Sequence, residues 1–561
     1  MQRTAITSPT PHGRNIATTL SARAAQQPLS HAVVFPHGRD HYGRVSYTHL
    51  TYARLEADST RVAAALQRYG VRAGQRTVLM LPPGLDFFTL TFALFKLGAI
   101  PVLIDPGMGV KNLKQCLQQV EPQVFIGNLK ANLARRILGW GKGSLQYCIT
   151  TSSMILPRTA RLRELLFHTP SVPDFKPYAP TPNSLAAILF TSGSTGPAKG
   201  TEYTHENFYA QIEMLKQVYG IEPGEIDLCT FPLFALFAPA LGMTAVVPDM
   251  DASKPGQVNP ERIFEAFDNF HISNMFGSPA LLRRVAAYAC RQGRKLPSLQ
   301  RVISAGAPVP AEILRQMELM LAPECEVFTP YGATEALPVC SIGSHEILTH
   351  TAKKTDTGGG ICIGRPVESI DAQIIRISDK DIPSWEDVEL MPVGIIGEIC
   401  VRGPQVTSGY YRLEQATKNA KIYCKDSTFY HRMGDVGYMD NQGRLWFCGR
   451  KNHRVVTGES TLFTLPCEAV FNLHPLVART ALVGCGARGA QRAVLCVELN
   501  PDVPTHQHSA IIADLKEIQL KYPHTAEISA FLIHPNFPVD VRHNAKIFRE
   551  RLALWARERL Q

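Results

Sequence analysis

Thirteen cysteines are scattered through the 561 residues, and no two are spaced as Cys-x-x-Cys. An odd, dispersed set excludes a disulfide framework and a thiolate zinc site, and it fits a reduced, cytoplasmic protein. The first 27 residues hold no apolar core of signal-peptide length. The most apolar stretch, 77–104, is broken by Pro82, Pro83, Asp86, Lys96 and Pro101, which suits strand, helix and strand within a core rather than a bilayer span. Internal repeats and low-complexity tracts are missing, as is the Gly-x-x-x-x-Gly-Lys-Ser/Thr phosphate loop. Charged residues make up only 19% of the chain and leave a net charge of +10. That excess favours anionic ligands or membrane surfaces but is too slight to call for nucleic acid.

What is present is an ordinary globular composition, 45% hydrophobic, over a length that requires two or more domains. Helical periodicity over 52–69 and 87–97 alternates with strand-like apolar runs at 78–81 and 100–104. This is the rhythm of a doubly wound α/β sheet. It resumes at Leu185, turns to strands between Gly358 and Gly449, and restarts after Gly449 as an α+β unit of about 110 residues, a usual domain size. Two domains are therefore expected, 1–449 and 450–561. Between Lys130 and His168, the basic residues Lys130, Arg135, Arg136, Lys142, Arg158, Arg161 and Arg163 interleave with apolar ones. The pattern reads either as a solvated helix face or as contact with an anionic membrane surface or an acidic partner.

The densest cluster of glycines and hydroxyls is Thr191-Ser192-Gly193-Ser194-Thr195-Gly196-Pro197-Ala198-Lys199. It follows the apolar run 185–190 and precedes a helical pattern starting near His205. Glycines let backbone N–H groups turn toward an anion, hydroxyls add donors and the lysine adds charge, so the segment suits a polyphosphate. Further on, Ser304-Ala305-Gly306-Ala307-Pro308 leaves room for a flat base. Thr329-Pro330-Tyr331-Gly332-Ala333-Thr334-Glu335 supplies an aromatic for stacking, a hydroxyl for phosphate and a carboxylate for Mg²⁺. Asp435, after Gly434, can accept two ribose hydroxyls, and Lys546 lies in a loop near the C-terminus.

These segments, in this order, resemble the acyl-adenylate-forming superfamily of acyl-CoA synthetases, luciferase and nonribosomal peptide adenylation domains, from about Tyr47 to Leu552. The resemblance implies a large N-terminal α/β domain of doubly wound sheets with a distorted β-barrel portion, a hinge, and a small mobile α+β domain carrying a catalytic lysine. It implies ATP and Mg²⁺ as cofactors. Thr191, Ser192, Gly193, Ser194, Thr195 and Gly196 would cradle the β- and γ-phosphates with help from Lys199. Gly306, Ala307 and Pro308 would line the adenine slot, with Tyr331, beside Gly332, stacked on the base. Thr334 would meet the α-phosphate, Glu335 would bind Mg²⁺, Asp435 would hold the ribose, and Arg450 would sit at the nucleotide near hinge residue Asn452. Lys546 would bridge the substrate carboxylate and the α-phosphate. Such attack joins two anions, so a metal ion and a lysine are needed to offset repulsion.

The chain departs from the superfamily in two places. A histidine commonly follows Pro-Leu-Phe, whereas Ala235 stands in Pro232-Leu233-Phe234-Ala235-Leu236-Phe237. A pocket wall of Phe234, Ala235 and Phe237 points to a long aliphatic substrate, with core packing the alternative reading. The usual acidic hinge pair is Asn452-His453, and Thr457 replaces a glycine of the segment that lines the thiol's approach in CoA ligases. With Asp105–Gly109, Val247–Asp251 and Arg542–Arg549, these features resemble the olefin β-lactone synthetases. That likeness implies ATP-dependent activation of a long-chain 2-alkyl-3-hydroxy fatty acid, whose own hydroxyl then closes a β-lactone and displaces AMP. An intramolecular nucleophile gains from proximity and needs no thiol tunnel. A long-chain fatty acid:CoA ligase and a non-catalytic nucleotide-binding scaffold remain the alternatives. Expected partners are enzymes of the same lipid pathway, or a membrane met peripherally through 130–168, and not nucleic acid.

Overall fold

The computed structural model describes residues 13–169, 175–191, 197–539 and 547–560. Two seven-stranded sheets draw their strands from the chain between His31 and Phe328. In the first, the spatial order is Ala160–Arg161, Tyr147–Thr150, Val124–Gly127, Arg76–Met80, Ile100–Leu103, Leu185–Phe190 and Gly200–Thr204. Neighbours are parallel except the last pair, an antiparallel hairpin. Strands buried on both faces read as near-continuous apolar runs, which is why 78–81 and 100–104 stand out in the sequence. The second sheet runs Glu326–Phe328, Arg301–Ile303, Asn274–Phe276, Ile226–Cys229, Thr244–Val246, His31–Arg39 and Val45–Thr51. It too is parallel until its final hairpin. Its last two strands come from the start of the chain.

The helices Tyr52–Tyr69 and Leu85–Leu97 match the periodic segments, and the second is buried along nearly all of its length. Lys96, which interrupts the apolar stretch, lies wholly inside. Its ammonium donates to Glu56 O (3.0 Å), Ser59 Oγ (2.9 Å) and Thr60 Oγ1 (2.8 Å), and pairs with Glu56 Oε1 at 2.8 Å. Such full pairing is what a buried cation requires. No helix among the described residues is long and apolar enough to cross a membrane.

A third, eight-stranded antiparallel sheet runs from Tyr331–Ala333 to Asp371–Ile375, with Lys421–Tyr423 off its path. This sheet is where the expected distorted barrel portion falls. The described pairings make an open path, and bulges such as Glu398/Cys400 and Val436/Gly437 bend its strands. Beyond Arg450, a three-stranded sheet (Val477–Cys485, Arg492–Leu499, Ile528–Ile533) packs against the helices Thr464–Phe471, His508–Lys521 and Arg549–Arg559. Two apolar clusters of its own lie there.

Candidate active site

In open α/β sheets, ligands bind beyond the carboxyl ends of the strands. Here both parallel sheets end on one cavity of about 2340 Å³. The first sheet contributes Leu81, Asp105, Asn128 and Thr191. The second contributes Phe231, Asp249, Ser278 and Gly306, and the third adds Tyr331, Glu335, Asp435 and Arg450.

Asp435 and Arg450 are paired across neighbouring strands of the third sheet. Asp435 is only 4% exposed. Its Oδ1 accepts from Arg450 Nη1 at 2.9 Å and its Oδ2 from the Tyr331 hydroxyl at 2.6 Å. Burial pushes the Asp435 carboxyl above its usual range, with Arg450 pulling the other way, while the Asp435 charge holds the Arg450 guanidinium protonated. Gly306, at φ +94°, carries the turn between the second sheet and Ala307-Pro308, and all three line the cavity. This face can take a planar base and two adjacent hydroxyls.

Thr334 and Glu335 form the two-residue turn of the hairpin Tyr331–Ala333/Ala336–Ser341, which aims both into the cavity. Gly332 is obligatory in that hairpin, because a Cβ there would lie 2.6 Å from Ala336 O. The turn is fixed from outside. Tyr203 Oη donates to Thr334 O at 2.5 Å, Thr407 N to Glu335 O at 2.9 Å, and Tyr410 Oη to Glu335 Oε1 at 2.7 Å. The Lys199 ammonium stands 4.7 Å from the centre of the same Tyr410 ring. The candidate phosphate loop is the connection of the hairpin Leu185–Phe190/Gly200–Thr204. Thr191 N donates to Lys199 O (3.0 Å) and Lys199 N to Thr191 Oγ1 (3.1 Å), closing its base. Ser192, Gly193, Ser194, Thr195 and Gly196 lie outside the described residues, as does Lys546. Ile547 and Arg549, which follow the lysine, line the cavity, as does Asn452 in the turn Lys451–His453.

Several residues here carried no sequence signal. Lys421 is 1% exposed and donates to Thr407 O. Burial pushes its ammonium down to about 7, against the pull of Glu335. His431, its register partner, lines the cavity and is kept neutral by burial and by Lys421 and Lys199. Thr407 and Tyr410 sit in the connection after strand Gly397–Arg402, and Lys421 and His431 in strands, with no motif to mark them. Only the Gly409-Tyr410-Tyr411 step hints at a close approach, realised where Glu202 N donates to Gly409 O (3.0 Å) and Tyr411 N to Gly200 O (2.7 Å).

The remaining wall is aromatic. Phe234 stacks on Phe276 (4.3 Å, 18°), and Phe237 leads through Phe208 (6.3 Å) to Tyr203 (4.9 Å). Phe234 and Phe237 line the cavity as expected for a pocket wall, but Ala235 does not. It is buried in the apolar core behind them, so the core-packing reading describes it. Residues 234 and 237, three apart in a helical turn, share a face from which 235 is turned away.

The sequence matches the AMP-binding enzyme family over residues 20–411. It is 45% identical over 556 residues to an olefin beta-lactone synthetase from Xanthomonas campestris pv. campestris, covering 97% of each chain. A second such synthetase, from Stenotrophomonas maltophilia, is 44% identical over 98% of this chain and 99% of its own. The fold resembles that of ATP-bound MatB from Rhodopseudomonas palustris, with a TM-score of 0.77 at 18% identity, covering 98% and 99% of the two chains. The chain therefore belongs to the AMP-binding enzyme family, and within it to the group of the olefin beta-lactone synthetases.

Proposed function

We propose that this protein activates a long-chain 2-alkyl-3-hydroxy fatty acid with ATP and closes it to a β-lactone, releasing pyrophosphate and AMP. The near full-length likeness to olefin beta-lactone synthetases carries the reading, and the aromatic wall running up to the Tyr331–Asp435–Arg450 cluster supports it. A carboxylate oxygen of the acid bonds to the α-phosphorus as the bond to pyrophosphate breaks. The substrate's 3-hydroxyl oxygen then bonds to the acyl carbon, the hydroxyl proton leaves, and AMP departs.

In this scheme Asp435 holds the ribose, Tyr331 stacks on adenine beside Gly306, Ala307 and Pro308, and Thr334 attends the α-phosphate. Thr191 to Gly196 and Lys199 grip the phosphates that leave. No group of three or more His, Cys, Asp and Glu side chains able to hold a metal occurs among the described residues. Glu335 suits Mg²⁺, which commonly takes one or two carboxylates and draws its other ligands from phosphate and water. When bound there, the ion offsets phosphate charge. Residues 450–561 act as a mobile unit hinged at Asn452, bringing Lys546 to the reacting carboxylate. The Thr457 and Ser460 hydroxyls both donate to Glu527, so this segment is a turn filled with side chains, which disfavours thiol entry. A substrate this apolar calls for delivery from a partner enzyme of the same lipid pathway or from a bilayer.

The test is the matching 2-alkyl acid without its 3-hydroxyl. It should support pyrophosphate exchange into ATP but give no lactone and no multiple-turnover AMP. Sustained AMP release from that analogue would overturn ring closure.

A further inference from the structure

Four large apolar side chains between residues 133 and 155 stand in solvent: Leu133, Ile137, Met154 and Ile155, the second and fourth of them 81% and 76% exposed. Isolated exposed apolar residues are unremarkable, but a cluster marks a contact surface. These four belong to neighbouring elements. Leu133 and Ile137, four residues apart on the helix Leu129–Leu138, share its outer face. Met154 and Ile155 lie in the loop after strand Tyr147–Thr150, which is the parallel neighbour of the strand leading into that helix. Two arginines hold the loop in place: Arg136 Nη1, from the helix, donates to Pro157 O at 3.0 Å, and Arg161 Nη1, from the strand that follows the loop, to Ser153 O at 3.1 Å.

The charge around the cluster has one sign. Residues 130–168 carry seven basic side chains and one acidic one, Glu164, which is already paired with Arg161. Lys130, Arg136, Arg158 and Arg163 are exposed. Apolar side chains ringed by long cations match an anionic lipid interface, where the stems bury and the charged ends reach headgroups. The opposite side of the same helix is cavity wall, since Ala131 and Ala134 line the cavity. Asn128, which caps the helix through Ala131 N at 2.9 Å, lines it too. One helix thus separates the patch from the space proposed to take the alkyl chains.

We infer that this patch docks the protein on an anionic bilayer, placing the cavity at the phase in which its substrate dissolves. The delivery role rests on the proposed reaction; the docking itself does not. The test is sedimentation of the full-length protein with phosphatidylcholine vesicles, with and without phosphatidylglycerol. Binding is expected with the anionic lipid and to be lost near 1 M salt, where the Debye length is about 3 Å. Ile137→Glu with Ile155→Glu, and separately Arg158→Glu with Arg163→Glu, should each weaken binding roughly tenfold or more, without lowering the melting temperature. If the apolar pair misfolds, the arginine pair decides. Wild-type protein that stays in the supernatant with anionic vesicles, even if a partner protein captures it, overturns the inference. So does undiminished binding by the folded variants. Vesicle binding that persists in a protein unable to form AMP would refute the proposed reaction and leave the docking surface standing.

Discussion

Asp435, Tyr331 and Arg450 come from three separate segments, yet meet within hydrogen-bond distance. The sequence marked each by its motif, because a carboxylate after glycine and an aromatic in a Tyr-Gly turn are chemically conspicuous. Lys421 and His431 were invisible, since burial is a tertiary property and a lysine in a short strand reads as surface. Ala235 was legible as a departure from the superfamily, but the choice between pocket wall and core packing was not, because the facing of a four-residue helix cannot be read from its sequence. Replacing Asp435 by Ala removes the acceptor for Arg450 and Tyr331. It should raise the apparent KM for ATP tenfold or more in pyrophosphate exchange, about 1.4 kcal/mol per factor of ten. Lys421 makes a pH-dependent prediction. Its folded-state pKa near 7 lies below the ordinary 10.5, so between these values the unfolded chain binds more protons and native stability rises with pH. A Lys421→Met variant lacks that contribution. Its stability relative to wild type should therefore fall as pH is raised from 7 toward 10, by up to about 1.4 kcal/mol per pH unit. A pH-independent difference in denaturation midpoints would refute the assignment.

Long periodic helices and buried parallel strands were plain in the sequence, because period and burial coincide in them. The strand Gly200–Thr204 was not: it is short, polar at Thr201, Glu202 and Thr204, and looked like the end of the phosphate loop. Its pairing with Leu185–Phe190 makes the loop a hairpin connection, with both ends fixed and Lys199 set beside Tyr410. The helix His205–Tyr219 then starts at a reciprocal cap between Thr204 and Asn207. In the third sheet, strand Phe429–Met439 carries Asp435 and bulges between Val436 and Gly437. A Cβ on Gly437 would lie 2.2 Å from Trp446 O, a backbone atom that cannot give way. Gly437→Ala should therefore destabilise the protein by about 1–3 kcal/mol and weaken ATP binding through displaced Asp435. A variant with wild-type melting temperature and ATP affinity would contradict that coupling.

At the scale of the molecule, doubly wound sheets could be read from alternating segments, but the placement of His31–Arg39 beside Thr244–Val246 could not, because parallel pairing across two hundred residues leaves no local trace. The strand order of the third sheet was likewise not legible, since it is set by long-range pairing and bulges rather than by strand count. Lys451, in the turn Lys451–His453, pairs with Glu398 of the third sheet (3.0 Å), and Arg454, just after the turn, pairs with Asp379 in the loop after strand Asp371–Ile375 (2.7 Å). We propose these ion pairs as contacts that break when residues 450–561 rotate. The reaction itself turns on which nucleophile takes the acyl group from AMP. The decisive measurement is AMP release by the purified full-length protein given a 2-alkyl-3-hydroxy fatty acid, ATP and Mg²⁺, with and without CoA. Sustained AMP release matched by β-lactone, at a rate that CoA leaves unchanged, is the predicted result. AMP turnover that begins only when CoA is added would contradict lactone formation and make the protein an acyl-CoA ligase.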